Sequence, residues 1–147
     1  MSKPIVLMAA AFFFSFSVYL AWSLTESEFR GRSGLAELER EFKGISKPPG
    51  SLVGTERRSS KAIQQVVSSD FTSSLTPDEI FVFFDKELVQ SGWMLLGRKL
   101  TLGRVVNMRY CKGDLEVVVE MISVDAQRTR YYFGVRWDGG PFTKSGC

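Results

Sequence analysis

Glu116 and Glu120, four residues apart, are the first place to look for acid–base chemistry in this chain. On one face of an extended strand they stand roughly 13 Å apart. Glycosidase chemistry needs about 5 to 9.5 Å between its carboxylates, so the pair is too wide. Asp78 and Glu79 are accounted for by a helix N-terminus, which favours negative charge, and Asp85 and Glu87 by the exposed side of the same helix. Serines are plentiful, but there is no Gly-x-Ser-x-Gly elbow, no Ser-x-x-Lys pair and no phosphate-cradling glycine loop. Histidine is absent, which removes the commonest general base, the Ser-His and Cys-His arrangements and most zinc sites. These observations point away from an enzyme, and no cofactor or metal site is expected.

Two cysteines, Cys111 and Cys147, are too few for a metal cluster. In an oxidising compartment they can form one disulfide that ties the C-terminal tail to the domain. Two unpaired thiols are the other reading.

Binding chemistry is better represented. Arg109, Arg130 and Arg136 fall in strand-like segments and point away from the helix-covered face if the register is right. They suggest a basic patch for anionic lipid, a cell-wall polymer or an acidic partner. The plainer reading is a solvated sheet face with cross-strand pairs, Arg109 or Arg130 against Glu116 or Glu120. Tyr132 and Val118 should share that uncovered face, where an apolar patch would mark a partner interface. With 19 lysines and arginines against 16 acidic residues, the net charge of +3 is too mild for a nucleic-acid protein.

What positions these residues is one compact domain and a leading apolar segment. Pro4 to Thr25 carries no charge and is rich in phenylalanine. As a helix it spans roughly 30 Å, the hydrocarbon thickness of a bilayer. Tyr19 and Trp22 sit at its far end, where amphipathic rings favour the headgroup layer. The expectation is a retained single-pass anchor. A cleaved signal is the competing reading, with Ala21-Trp22-Ser23 as its cleavage site. Lys3 and the free amine favour an N-terminus on the cytoplasmic side, which places the remainder outside.

Thr25 to Glu28 has the form of a capping box, and Phe29, Leu35, Leu38 and Phe42 recur at near-helical spacing. This predicts a juxtamembrane amphipathic helix, acting as a spacer on its own domain or as a docking element. Lys47-Pro48-Pro49-Gly50 ends it, so residues 26–50 read as helix and linker. The α+β domain is expected over residues 51–138, with a loose tail over 139–147.

Two strands are expected near 51–58 and 62–71, with Val66 and Phe71 buried. Thr76-Pro77-Asp78-Glu79 starts a helix with an N-cap, a proline in the first turn and a capping glutamate. Ile80, Phe81, Phe84 and Leu88 form its apolar stripe, and Gly92 its left-handed C-terminal cap. Strands follow near 93–99, 105–111 and 115–124. Tyr131, Phe133, Val135 and Trp137 then alternate with polar or small residues. The expected order is ββαβββ, an antiparallel sheet with one helix packed on a face.

The Pro48-Pro49-Gly50 boundary, the serine-rich strands, Leu75 to Ile80 with Phe83-Phe84 and Leu88, Gly92-Trp93, and the Tyr110 to Asp114 turn form a pattern over about ninety residues. It resembles a class of small uncharacterised extracytoplasmic bacterial α+β domains. Such domains sit behind a signal peptide, lipid anchor or single membrane helix. The shared motifs are caps, a turn and core aromatics, so the resemblance implies a fold and a location without an activity. The functional expectation is a non-enzymatic subunit anchored in the bacterial inner membrane with its domain in the periplasm. It would be an accessory or assembly component beside an integral-membrane partner. The alternative is an envelope binding module for anionic lipid, peptide or glycan that uses the basic sheet face.

Overall fold

A computed structural model describes residues 34–61, 63–125 and 127–139. The expected membrane segment at 4–25 lies outside these residues, and no helix among them is long and apolar enough to cross a membrane. The fold is α+β. Six antiparallel strands form one sheet: β1 (Leu52–Lys61), β2 (Gln64–Ser73), β3 (Met94–Thr101), β4 (Arg104–Lys112), β5 (Leu115–Val124) and β6 (Thr129–Asp138). Two helices accompany it, α1 over residues 34–44 and α2 at Pro77–Gln90. The order across the sheet is β1-β2-β6-β5-β4-β3. There is one strand more than the ββαβββ expectation, because the alternating segment at 129–138 is a full strand and pairs with both β2 and β5.

Helix α2 follows its local signals at both ends. Thr76 Oγ1 accepts from the Glu79 N–H while the Glu79 carboxylate accepts from the Thr76 N–H at 2.8 Å, a reciprocal capping box. At the other end Gly92 has φ +82°, and the Trp93 N–H reaches back to the Leu88 carbonyl at 2.9 Å. With the Gly92 N–H on the Val89 carbonyl, this is the paired Schellman pattern. It folds Trp93 into the core, 2 % exposed, and starts β3 against the helix it has just left.

The core lies between the helices and one sheet face. Ile80, Phe81, Phe84 and Leu88 of α2 meet Met108, Tyr110, Val117, Val119, Tyr131, Phe133 and Val135 of the sheet. On β2 the buried face is carried by Val67 and Phe71, and Val66 is half-buried on the opposite face. Val66 and Phe71 have opposite parity, so strict strand alternation cannot bury both in one layer.

Helix α1 belongs to this core as well. Leu38, Phe42 and Ile45 are buried, and the Phe42 ring lies 5.4 Å from that of Phe133. The segment preceding Pro48 is therefore packed on the same sheet as the strands that follow it. Lys47 closes the helix: its Nζ donates to the carbonyls of Phe42 and Ile45 and sits over the rings of Phe42 and Phe133, at 4.8 and 4.4 Å. Cations at helix C-termini and over aromatic faces are favoured. Burial opposes the charge more strongly than Glu87 supports it, and lowers the ammonium pKa to about 8.

That shift sets a measurable slope. Above pH 8 the native ammonium releases its proton while the unfolded lysine keeps it up to about pH 10.4, so the unfolded state binds more protons and stability rises with pH across that window. The gain is of order 1 kcal/mol after allowance for solvent screening. Urea denaturation of the protein and of Lys47→Met between pH 7.5 and about 10 is expected to show this slope in the parent and lose it in the variant. Equal slopes would contradict the assignment to Lys47.

Candidate functional site

The sheet face turned away from the helices carries the residues singled out for binding. Cross-strand pairing puts Arg136, Tyr132 and Arg130 of β6 on this face with Glu116, Val118 and Glu120 of β5 and Arg109 of β4. The expected orientation of Arg109, Arg130 and Arg136 is therefore the observed one. Their partners decide what they can do.

Arg109 and Arg136 converge on a single carboxylate. The Arg109 guanidinium donates to Glu116 Oε1, and Arg136 donates to Glu116 Oε2 from Nε at 2.9 Å and from a terminal nitrogen at 2.6 Å. Burial opposes ionisation of Glu116, but the hydrogen bonds and charges of Arg109 and Arg136 outweigh it, so the carboxyl lies below the usual range. The hydrogen bond that Arg109 donates to Glu116 correspondingly raises the Arg109 pKa. Arg136 also approaches Asp138 at 3.5 Å.

Arg130 takes part in a second cluster built on Asp70. That carboxylate is almost fully buried, and its Oδ2 receives Arg130 at 3.0 Å and Arg57 at 3.1 Å. Neither Asp70 nor Arg57 was expected at a site. The signal was faint: an aspartate in mid-strand, where aspartate is depleted. Its arginines come from strands on either side, so only the β1-β2-β6 order brings them together.

The two clusters do not merge. Arg130 and Arg136 are six residues apart on one strand, roughly 20 Å. Tyr132 lies between them with its ring over Gly134, where an added Cβ would come within 2.4 Å of the phenol oxygen. A side chain at position 134 would force the Tyr132 ring to move, and in its present place the ring covers this part of the face. Glu120 stands opposite Tyr132 and is approached by the Asn107 amide at 3.5 Å.

Cys111 is on the same face, buried opposite Glu116, and is disulfide-bonded. Cys147, the other cysteine of the chain, lies outside the described residues, as do Tyr19 and Trp22.

Concavities also occur elsewhere among the described residues. A cleft of about 440 Å³ lies between the start of α1 and the β4–β5 turn; Glu37, Glu41 and Asp114 line it with Lys112, which bridges to Glu41 at 3.3 Å. A groove of about 240 Å³ lies between α2 and the β3–β4 hairpin. There the Tyr110 hydroxyl donates to Asp85 at 2.8 Å, and burial together with Asp85 holds the phenol protonated. Neither concavity pairs a nucleophile with a base. Among the described residues no acidic or cysteine cluster has the geometry to hold a metal.

The open face thus consists of arginines paired around two carboxylates. Replacing Glu116 with Gln removes the charge that Arg109 and Arg136 share, and is expected to cost about 1–3 kcal/mol. Because the folded pKa is depressed, this stabilisation is present above the unfolded carboxyl pKa and is lost as pH falls through the folded one. Thermal melts from pH 7 to 3 should therefore converge for parent and Glu116→Gln as the pH falls. A gap that persists at low pH would assign the loss to packing. No protein-family model matches this chain, and no similar curated protein or solved structure was found.

Proposed function

We propose that this protein is a membrane-anchored, non-enzymatic extracytoplasmic domain that serves as an accessory or assembly subunit beside an integral-membrane partner. The observation that carries the reading is the uncharged, phenylalanine-rich run from Pro4 to Thr25, long enough as a helix to span a bilayer. Eight residues lie between Thr25 and Gly34, where the described part of α1 begins. Fully extended they reach at most about 30 Å. Because α1 is part of the core, an anchored domain has no long floppy stalk and stays at a high effective concentration beside a membrane partner.

The disulfide at Cys111 supports an oxidising compartment, the bacterial periplasm, with the N-terminus in the cytoplasm. The alternative of a binding module on the arginine face has weaker support. Arg109, Arg130 and Arg136 each already face a carboxylate, and an anionic ligand would have to displace it.

Fractionation tests the anchor and mild-detergent purification tests the subunit role. The full chain is expected to resist carbonate extraction, with its domain accessible to protease from the periplasmic side. It should leave the membrane in a stoichiometric complex. Substituting Phe12, Phe13, Phe14 and Phe16 with leucine is expected to weaken complex retention while leaving insertion intact. Recovery as a monomer, indifferent to those substitutions, would leave only an anchored domain.

A further inference from the structure

We propose that the tip of the β3–β4 hairpin is a second membrane contact, in which Leu102 enters an anionic lipid interface and Lys99 and Arg104 engage the headgroups. The observation behind it is a conflict between residue and backbone. The two-residue loop Leu102-Gly103 joins the paired residues Thr101 and Arg104, and both loop residues have positive φ, +51° and +76°. That is the I′ geometry, whose first position suits Asn, Asp or Gly. Leucine is unfavourable there because its Cβ crowds the backbone. Leu102 is also 98 % exposed, so no intramolecular packing compensates. Strain held without a structural return is a reason to look for a functional one.

The surroundings specify what the tip would meet. Between Glu87 and Asp114 the sequence has no acidic residue and five basic ones. Arg98 pairs with Asp85, Arg109 with Glu116 and Lys112 with Glu41. Arg104, which follows the loop, and Lys99, three residues before Leu102, make no ion pair among the described residues. Leu100 adds a second exposed apolar side chain beside the tip. A narrow apolar projection ringed by unpaired cations suits a lipid interface, where the apolar atoms sink to the acyl boundary and long cationic side chains reach the phosphates.

The position of the tip gives this contact a consequence. Strand β4 runs nine residues from Arg104 to Lys112, about 27 Å, and Lys112 lies beside α1 at the opposite end of the sheet. Resting on the anchored reading for its other end, the domain would lie with its strands along the membrane surface instead of standing upright.

The test uses the full chain reconstituted in phosphatidylcholine vesicles with and without phosphatidylglycerol. An environment-sensitive fluorophore is placed at Thr101→Cys under non-reducing conditions, with controls at Ser59→Cys and Lys86→Cys, and brominated lipid is the quencher. Quenching at position 101 is expected to exceed both controls and to require the anionic lipid. Leu102→Asn should weaken the contact roughly tenfold, from loss of one buried leucine, while raising Tm, because Asn-Gly relieves the turn. Equal quenching at all three positions, indifference to Leu102→Asn, or protection of the tip only when a second protein is present would overturn the proposal. Were the chain not inserted, the anchored reading would fail separately. The same probe on protein added to these vesicles would still decide whether the tip binds them.

Discussion

The contact on which the structure turns is the meeting of both helices on Phe133. This residue sits near the middle of β6, a central strand of the sheet. The Phe84 ring of α2 stacks on it at 5.1 Å and the Phe42 ring of α1 packs against it at 5.4 Å. Phe84 also meets Tyr131, and Tyr131 stacks on Phe71 of β2, so one aromatic chain ties four elements together. Truncating a phenylalanine at such a point removes about 3–5 kcal/mol, a large part of the 5–15 kcal/mol that holds a domain folded. Lys47 sits over the same ring. Helix α1 and the turn after it are thus held by the core itself.

The opposite face is organised by charge. Each of its two main carboxylates serves two arginines, an arrangement in which either arginine alone would complete a pair and the second leaves a net positive residue. Exposed ion pairs contribute little to stability. Glu116 and Asp70 are better shielded than their partners, so these pairs contribute more than ordinary surface pairs while also fixing the arginine side chains. The sheet edges carry irregularities of their own. β1 shifts register between Val53 and Glu56, and β3 does so twice, between Leu95 and Gly97 and between Lys99 and Leu100. Such bulges, with the basic residues beside them, discourage pairing with a second sheet.

The parts legible in the sequence were those set by short-range chemistry. Thr76 with Glu79, and Gly92 with Trp93, mark both ends of α2 because each signal acts within a few residues. The alternation of Tyr131, Phe133 and Val135 on β6 gave the buried face directly. The parity of β2 was misread, since Val66 and Val67 are adjacent and the serines around them carry no hydrophobic contrast. The Asp70 cluster was invisible for a different reason. Its arginines lie 13 and 60 residues away in the chain, and the pairing order that assembles them has no local signature.

The two short loops of the β3–β4–β5 meander show how far local rules govern this fold. At Gly113-Asp114 the chain places glycine at the first loop position, with φ +59°, as a tight turn between antiparallel strands demands. At Leu102-Gly103 it meets the same demand with a leucine, and Leu102 is the one non-glycine residue at positive φ among those described. The two loops cap opposite ends of the same strand, so sheet twist and strand pairing do not account for the difference. Sequences that fold well keep local preference and global structure in agreement, and departures tend to sit where something other than folding is selected. In this domain the departure falls at a hairpin tip whose leucine is almost fully exposed, at the end of β4 away from α1.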